Sequence, residues 1–257
     1  MTEIGADENR DFVTALARGI EVLGVCGRSG GGVTLAEAAR LTGLSRATVR
    51  RSLLTLAAMG YVAAEGRVFS LTPKVLTLAG GYLRSMPLAR LAQPVLDRIS
   101  RQLGESCSLA TLDGGQIIYV ARAEARRIIS VDLAVGSSLP AFCTSMGRVL
   151  LAGLPSDEIS QRLSRMKLEP LTERTVTDPA TLLALLEGVR TAGFCLVDQE
   201  LETGLRSLAV PIRSLRGSVI AAINVSTQVS RVSMHDLHVT ILPVLQAAAY
   251  DLRPAGE

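Results

Sequence analysis

Apolar positions near the start of the chain recur with helical spacing. In FVTALARGIEVLGVC (residues 12–26), Val13, Leu16, Ile20 and Leu23 stand three or four apart and predict an amphipathic helix. The glycine-rich stretch from Arg28 to Val33 breaks it. Thr34-Leu-Ala-Glu37 then has capping-box spacing, in which hydroxyl and carboxylate each satisfy a free backbone N–H of the other residue. A short helix follows, with Leu35, Ala38 and Leu41 on one face. Gly43 can end it with a positive φ, and Ser45 suits the N-cap of a third helix running to Gly60. In that helix Val49, Leu53 and Leu56 form the core stripe. At ~100° per residue, Ala47 and Arg51 fall nearly opposite, Thr48 and Arg50 flank the stripe, and Arg46 sits in the first turn. Two apolar runs, 61–64 and 67–71, flank Glu65-Gly66 and predict a hairpin. A short helix, a tight turn, a helix with a polar exposed first half and a hairpin together match a winged helix-turn-helix over residues 12–73, behind a disordered N-terminus of residues 1–11.

Residues 74–104 read as linker helices. Lys74 to Arg84 form one, Met86-Pro87 breaks it, and Leu88, Leu91, Val95, Ile99 and Leu103 stripe a second that contains Pro94. This stripe fits a dimer seam or packing on its own domain equally well. From 105 to 257 strand patterns return at Ser106–Leu112, Gln116–Ala121 and Ile128–Leu133. Helices are predicted from Val149, Ser156 and Asp178-Pro179, then strands at Phe194–Asp198, Leu205–Ile212 and Ser218–Ser226, and a last helix from about Met234 to Arg253. Strands, then helices, strands again and a closing helix predict an α+β domain on one antiparallel sheet.

Charge sharpens the first half. Between Arg40 and Arg84 lie seven cations (Arg40, Arg46, Arg50, Arg51, Arg67, Lys74, Arg84) against the single anion Glu65, whereas the whole 257-residue chain carries only +3. A basic block in a near-neutral protein marks either a phosphate-binding module or a solvated face. Its place on a helix-turn-helix favours double-stranded DNA. Arg46, Arg50 and Arg51 can meet base edges or phosphates, Thr34, Ser45 and Thr48 can add hydroxyls, and Arg67 at the hairpin tip can reach a phosphate or minor groove. At 48% hydrophobic and 20% charged, the chain should bury a sizeable core. Aromatics are 3% and Trp is absent, which disfavours base-stacking platforms. The absence of a long apolar run argues against a membrane span and, with the polar N-terminus, points to a cytoplasmic protein. Cys26, Cys107, Cys143 and Cys195 are too scattered for a disulfide framework or a zinc site.

Catalytic signals are weak. There is no GxSxG and no phosphate-binding GxxxxGK[ST], so no cofactor is expected. His235 and His238 lack companion ligands, and Asp198 and Glu200 lack a supporting base, so an enzyme acting on a small acid is the lesser alternative. A ligand pocket fits better. Thr144 and Ser145 stand where a loop enters a helix, whose free N–H groups could hold a carboxylate. Asn224 and Ser226 share one face of an apolar strand, either lining a pocket or facing solvent.

Four segments carry a family resemblance: LAEAARLTGLSRATVRRSLLTLAAMGYV, RVFSLTPKVLTLAGGYL, SSLPAFCTSMGRVLLA and DQELETGLRSLAVPIRSLRGSVIAAINVS. In this order and spacing the chain resembles the IclR family of bacterial transcription regulators from Phe12 to about Arg253. FVTALARGIEVL, FCTSMGRVLLA and INVSTQVSR are most similar to the branch controlling aromatic-acid breakdown through the β-ketoadipate pathway. The resemblance implies a winged helix-turn-helix, a GAF-like effector domain that binds a small aromatic or dicarboxylic acid, and homodimers or homotetramers. It implies effector contacts at the amides of Ser145 and Met146, and at Asp198, Ser207, Asn224 and Ser226. Ser207 stands where many relatives have Cys, and Asn224 where Ser is commoner. The family's recurrent basic residue of the recognition helix falls on Arg51.

Overall fold

In a computed structural model of the chain, residues 11–28, 31–125 and 133–253 are described. The expected disordered N-terminus, except Asp11, and the expected strand Ile128–Leu133, except Leu133, lie outside them. The chain divides into two compact units that meet in sequence at Ser85 and Met86, within the expected linker.

The first unit orders as α1 (Thr14–Arg28), β1 (Val33–Thr34), α2 (Leu35–Thr42), α3 (Arg46–Ala58), β2 (Val62–Glu65), β3 (Val68–Leu71) and α4 (Val75–Ser85). The capping box forms as its spacing requires, the Thr34 hydroxyl accepting from the Glu37 N–H while the Glu37 carboxylate accepts from the Thr34 N–H. Gly43 ends α2 at φ 69°, a value that favours glycine, and the turn leads to the Ser45 cap of α3. Val49 and Leu53 of α3 are fully buried against Val22, Val25, Cys26, Val33, Ala38 and Val62, so these three helices and the hairpin share one core. The stripe that marks α1 in the sequence faces outward, however: Val13, Leu16 and Ile20 are each more than 60% exposed. Leu41 of α2 is likewise exposed, leaving Ala38 as the buried residue of that helix.

Strand β1, unforeseen because it is two residues long, joins β3, and the sheet order is β1-β3-β2. Glu65 pairs with Val68, so the two-residue turn is Gly66-Arg67, one position later than expected. Gly66 takes φ 62° as the first turn residue and places Arg67 at the tip.

The second unit orders as α5 (Pro87–Leu103), β4 (Ser106–Asp113), β5 (Gln116–Ala123), β6 (Ser138–Pro140), α6 (Ser145–Ala152), α7 (Ser156–Arg165), α8 (Pro179–Ala192), β7 (Cys195–Asp198), β8 (Leu205–Arg213) and β9 (Val219–Gln228), closed by α9 (Met234–Asp236) and α10 (Leu242–Asp251). All sheet pairings are antiparallel, in the order β6-β5-β4-β9-β8-β7. Helix α5 packs on β4 and β5 through Leu88, Ala89, Ala92, Leu96 and Ile99, while Leu91 of the expected stripe is exposed. Helices α10 and α6 also pack on the sheet. With both faces covered, β9 is buried along most of its length, which is why its sequence shows an apolar run rather than alternation.

Between α9 and α10 the helix opens into a π turn at Leu237–Ile241, where the Leu242 N–H reaches back five residues to Leu237. Pro243 explains it: its ring would press on the carbonyl four residues earlier and it has no N–H to offer, so widening the turn relieves the clash.

Candidate functional site

Two sites emerge, one in each unit. On α3 the buried Val49–Leu53 stripe turns Arg46, Arg50 and Arg51 outward. Their guanidiniums and that of Arg67 at the hairpin tip are exposed and bonded to nothing among the described residues. The hydroxyls expected beside them are committed locally. Ser45 Oγ lies 3.0 Å from Thr48 Oγ1 and caps the Thr48 N–H, and Thr34 Oγ1 donates to Glu37 at 2.8 Å. Lys74 of the same basic block is exposed but tethered: its Nζ donates to the Met59 carbonyl at 2.7 Å and sits 5.0 Å from the centre of the Tyr61 ring. A protruding helix with unpaired guanidiniums, beside a hairpin with one more, suits the polyanionic groove of duplex DNA.

In the second unit, a cavity of about 30 Å³ lies between the start of α6 and the sheet. Register places Ser207 opposite Ser226 and Asn224 opposite Ala209, so Ser207, Asn224 and Ser226 contribute side chains from adjacent strands to one wall. Thr144, Ser145 and Met146 form another. The loop before α6 lies against the helix because residue 147 is glycine; a Cβ there would stand 2.2 Å from the Ala141 carbonyl oxygen. Thr144 Oγ1 caps the Gly147 N–H, leaving the amides of Ser145 and Met146 as the free donors of the helix start. Ser145 Oγ lies 2.6 Å from Ser207 Oγ, which accepts from Asn224 Nδ2 at 3.0 Å. The Oδ1 of Asn224 has no hydrogen-bond partner among the described residues.

Six of the seven residues expected at this site therefore converge. Asp198 does not line the cavity. Its carboxylate is bound by Arg206 at 2.7 Å and Arg174 at 2.6 Å, and the Arg206 hydrogen bond foremost holds it below the ordinary carboxylate range. The apolar part of the lining, Tyr119, Leu133, Cys143, Val197, Leu201 and Leu205, carried no sequence signal beyond hydrophobicity. Burial pushes the Tyr119 hydroxyl up to about 12 and the Cys143 thiol up to about 11, so both stay neutral at pH 7. A larger open groove, about 410 Å³ beside α8 and β7, is mainly apolar and lacks convergent polar groups.

Behind α6 lies a buried ion pair that sequence reasoning missed. Arg148 Nη1 and Nη2 donate to Glu200 Oε1 and Oε2, each at 2.6 Å, and Arg148 Nε donates to the Phe142 carbonyl at 2.8 Å. Glu200 Oε2 also accepts from the Val176 N–H. The pair thus ties the loop before α6 to the end of β7. Asp198 and Glu200, considered above as paired acids, are each consumed by arginine. His235 and His238 are exposed, with His238 packed edge-on to Phe194 at 5.5 Å, and no group of metal-ligating side chains occurs among the described residues. None of the described helices is long and apolar enough to cross a membrane.

Comparison with known proteins finds relatives for both units. Residues 15–66 match the IclR helix-turn-helix domain, and residues 80–253 match the bacterial transcriptional regulator IclR C-terminal domain. The chain is 51% identical over 243 residues to the Pca regulon regulatory protein of Pseudomonas putida, covering 94% of this chain and 84% of that protein. A crystal structure of a transcriptional regulator from Rhodococcus sp. RHA1 superposes with a TM-score of 0.78 at 48% identity, covering 94% of this chain and 97% of that one. The inducer-binding domain of the Acinetobacter PobR transcription factor, a double mutant in complex with 3-hydroxybenzoic acid, superposes with a TM-score of 0.62 at 33% identity, covering 65% of this chain and 98% of that domain.

Proposed function

As the chain belongs to the IclR family of DNA-binding transcriptional regulators, we propose that it controls genes of aromatic-acid catabolism in response to a small organic acid. The observation that carries the reading is the set of four exposed, unpaired guanidiniums on α3 and the hairpin tip. Arg46, Arg50 and Arg51 read or clamp the operator, with Thr48 at the flank and Thr34 and Ser45 fixing the helix starts, while Arg67 holds a phosphate. The protein works in the cytoplasm as a homodimer or homotetramer, without a cofactor. The aromatic branch is supported by the resemblance of the α6 and β9 segments and by the names of the P. putida and Acinetobacter relatives.

The acid occupies the cavity beside α6, its carboxylate on the Ser145 and Met146 amides, with Ser207, Asn224 and Ser226 at its side; Thr144 lines the site and fixes the helix start, its hydroxyl donating to the Pro140 carbonyl at 3.0 Å while it accepts from the Gly147 N–H. A space of about 30 Å³ holds water but is far smaller than ligand pockets of several hundred Å³, so admitting the acid requires the apolar lining to give way. Asp198 takes part indirectly, holding Arg206 and Arg174 at the end of β7. Binding of the acid at this rim changes how firmly the DNA-binding units hold the operator.

Arg51→Ala tests the DNA half. Removing a bidentate pairing with a base edge costs ~1–3 kcal/mol in operator affinity. Unchanged affinity and base preference at fixed salt would refute the assignment. A thermal-shift screen of aromatic and dicarboxylic acids tests the other half, since an acid present at 100 times its Kd stabilises by ~2.7 kcal/mol.

A further inference from the structure

One cation of the basic block behaves unlike the four free guanidiniums. Arg46, Arg50, Arg51 and Arg67 hold their charges out unpaired, whereas the exposed Lys74 amine donates to the Met59 carbonyl and lies against the Tyr61 ring. Among the described residues no carboxylate pairs with it.

The end of α3 shows what the amine is doing there. The helix closes in a Schellman turn: Gly60, at φ 77°, donates its N–H to the Ala57 carbonyl, and the Tyr61 N–H donates to the Leu56 carbonyl. The next carbonyls, those of Met59, Gly60 and Tyr61, are met by the chain leaving the hairpin. Thr72 Oγ1 donates to Gly60 at 2.6 Å, the Thr72 N–H to Tyr61 at 3.0 Å, and Lys74 Nζ to Met59. The lysine stem runs over Gly60, where a Cβ would stand 3.7 Å from Lys74 Cδ. A cation at the carboxyl end of a helix also suits the macrodipole. Residues 72–74 thus clasp the exit of the hairpin to the helix that carries Arg46, Arg50 and Arg51.

The clasp matters because Arg67 stands at the far tip. Strand β2 is pinned by Val62, 3% exposed, but no side chain of β3 is fully buried, which leaves the β1 pairing and the clasp to hold the exit strand. Four residues of strand make a lever of about 13 Å, so a swing of about 10° at the base moves the tip by about 2 Å, enough to break a hydrogen bond to a phosphate.

We propose that Lys74 is a positioning residue for operator recognition: its amine acts on the carboxyl end of α3 rather than on DNA, and holds the hairpin at the angle at which Arg67 and the α3 guanidiniums meet one duplex. This rests on the reading of α3 and the hairpin tip as the DNA-contacting surface.

The test is a double-mutant cycle on the full chain, read by fluorescence anisotropy over a salt series, with a duplex that the parent chain has selected from a random-sequence pool. Arg67→Ala in the parent should weaken binding roughly fivefold and lower the salt slope by about one per subunit. Lys74→Met, which keeps the stem and removes the donor and its charge, should do the same, and adding Arg67→Ala to it should cost about twofold or less. Lys74→Arg, which keeps a charged donor, should leave the cost of Arg67→Ala as it is in the parent. Lys74→Gln is carried alongside in case the methionine variant does not fold. Costs that add, each with its own unit of salt slope, mean that Lys74 grips a phosphate itself and overturn the inference. So does a Lys74→Met chain that binds like the parent. An Arg67→Ala that changes nothing in the parent removes instead the reading of the hairpin tip, and the inference falls with it.

Discussion

Neutralising Glu200 isolates the contribution of the ion pair behind α6. In Glu200→Gln the Arg148 guanidinium, with a side chain 3% exposed, keeps its bond to the Phe142 carbonyl, but of its two 2.6 Å bonds to the carboxylate one is lost and the other is left with a neutral acceptor. The new amide also presents N–H groups to a cation. Breaking a buried pair from one side costs ~3–5 kcal/mol, because the remaining charge stays desolvated without its partner. For a unit of this size, each kcal/mol moves Tm by about 2–4 °C, so the second unit should melt about 6–20 °C lower. Differential scanning calorimetry at neutral pH reads this directly. Replacing both partners together, Arg148→Met with Glu200→Leu, should recover part of the loss, since no charge is then stranded. The first unit has its own buried core, so operator binding measured well below the melt should persist. A Glu200→Gln melt within about 1 °C of the parent would refute the reasoning and mean that water or another group reaches the guanidinium.

Gly147→Ala drives a methyl group into the Ala141 backbone and should cost ~1–3 kcal/mol by thermal melt, with weakened acid binding; an unchanged melt would show that the loop is free to retreat. The Cys143 thiol, raised to about 11 by burial, should react with a disulfide reagent at pH 8 far more slowly in the folded chain than in urea. For Asp198 the folded pKa lies below its ordinary 3.8, so the Arg206–Asp198–Arg174 clamp stabilises fully above that value and is lost as pH falls through the lower folded pKa; the Tm deficit of Asp198→Asn should accordingly be present at pH 7, shrink below 3.8 and vanish only beneath the folded pKa. Arg67→Ala should reduce the salt-dependence slope of operator binding by about one per subunit while leaving base preference intact.

The DNA-binding unit was legible because its signals are local. The Thr34–Glu37 box, Gly43 and the Ser45 cap each act within three residues, and α2 and α3 begin and end accordingly. What failed there is the side of α1 that turns inward. Val13, Leu16 and Ile20 keep helical spacing, yet Val22, Val25 and Cys26 are the buried set, and spacing does not say which of two apolar faces meets the core. In the second unit the pocket walls were readable from a helix start and from polar residues on an apolar strand. The Arg148–Glu200 pair was not, because its members are 52 residues apart and either one alone reads as a surface charge. Asp198 shows the opposite error: an acid at a strand end looks available until two arginines, from positions 174 and 206, are seen to occupy it.

The composition offers an experimental handle. Only two of the 27 basic side chains are lysines, Lys74 and Lys167, and they fall one in each unit. Lys167 stands 82% exposed, whereas the Lys74 amine is tethered to the Met59 carbonyl beside the carboxyl end of α3. An amine-directed acylating reagent followed by mass spectrometry therefore gives a two-channel footprint. One tag reports on the hairpin exit as duplex is added, and the other serves as an internal reference in the same tube.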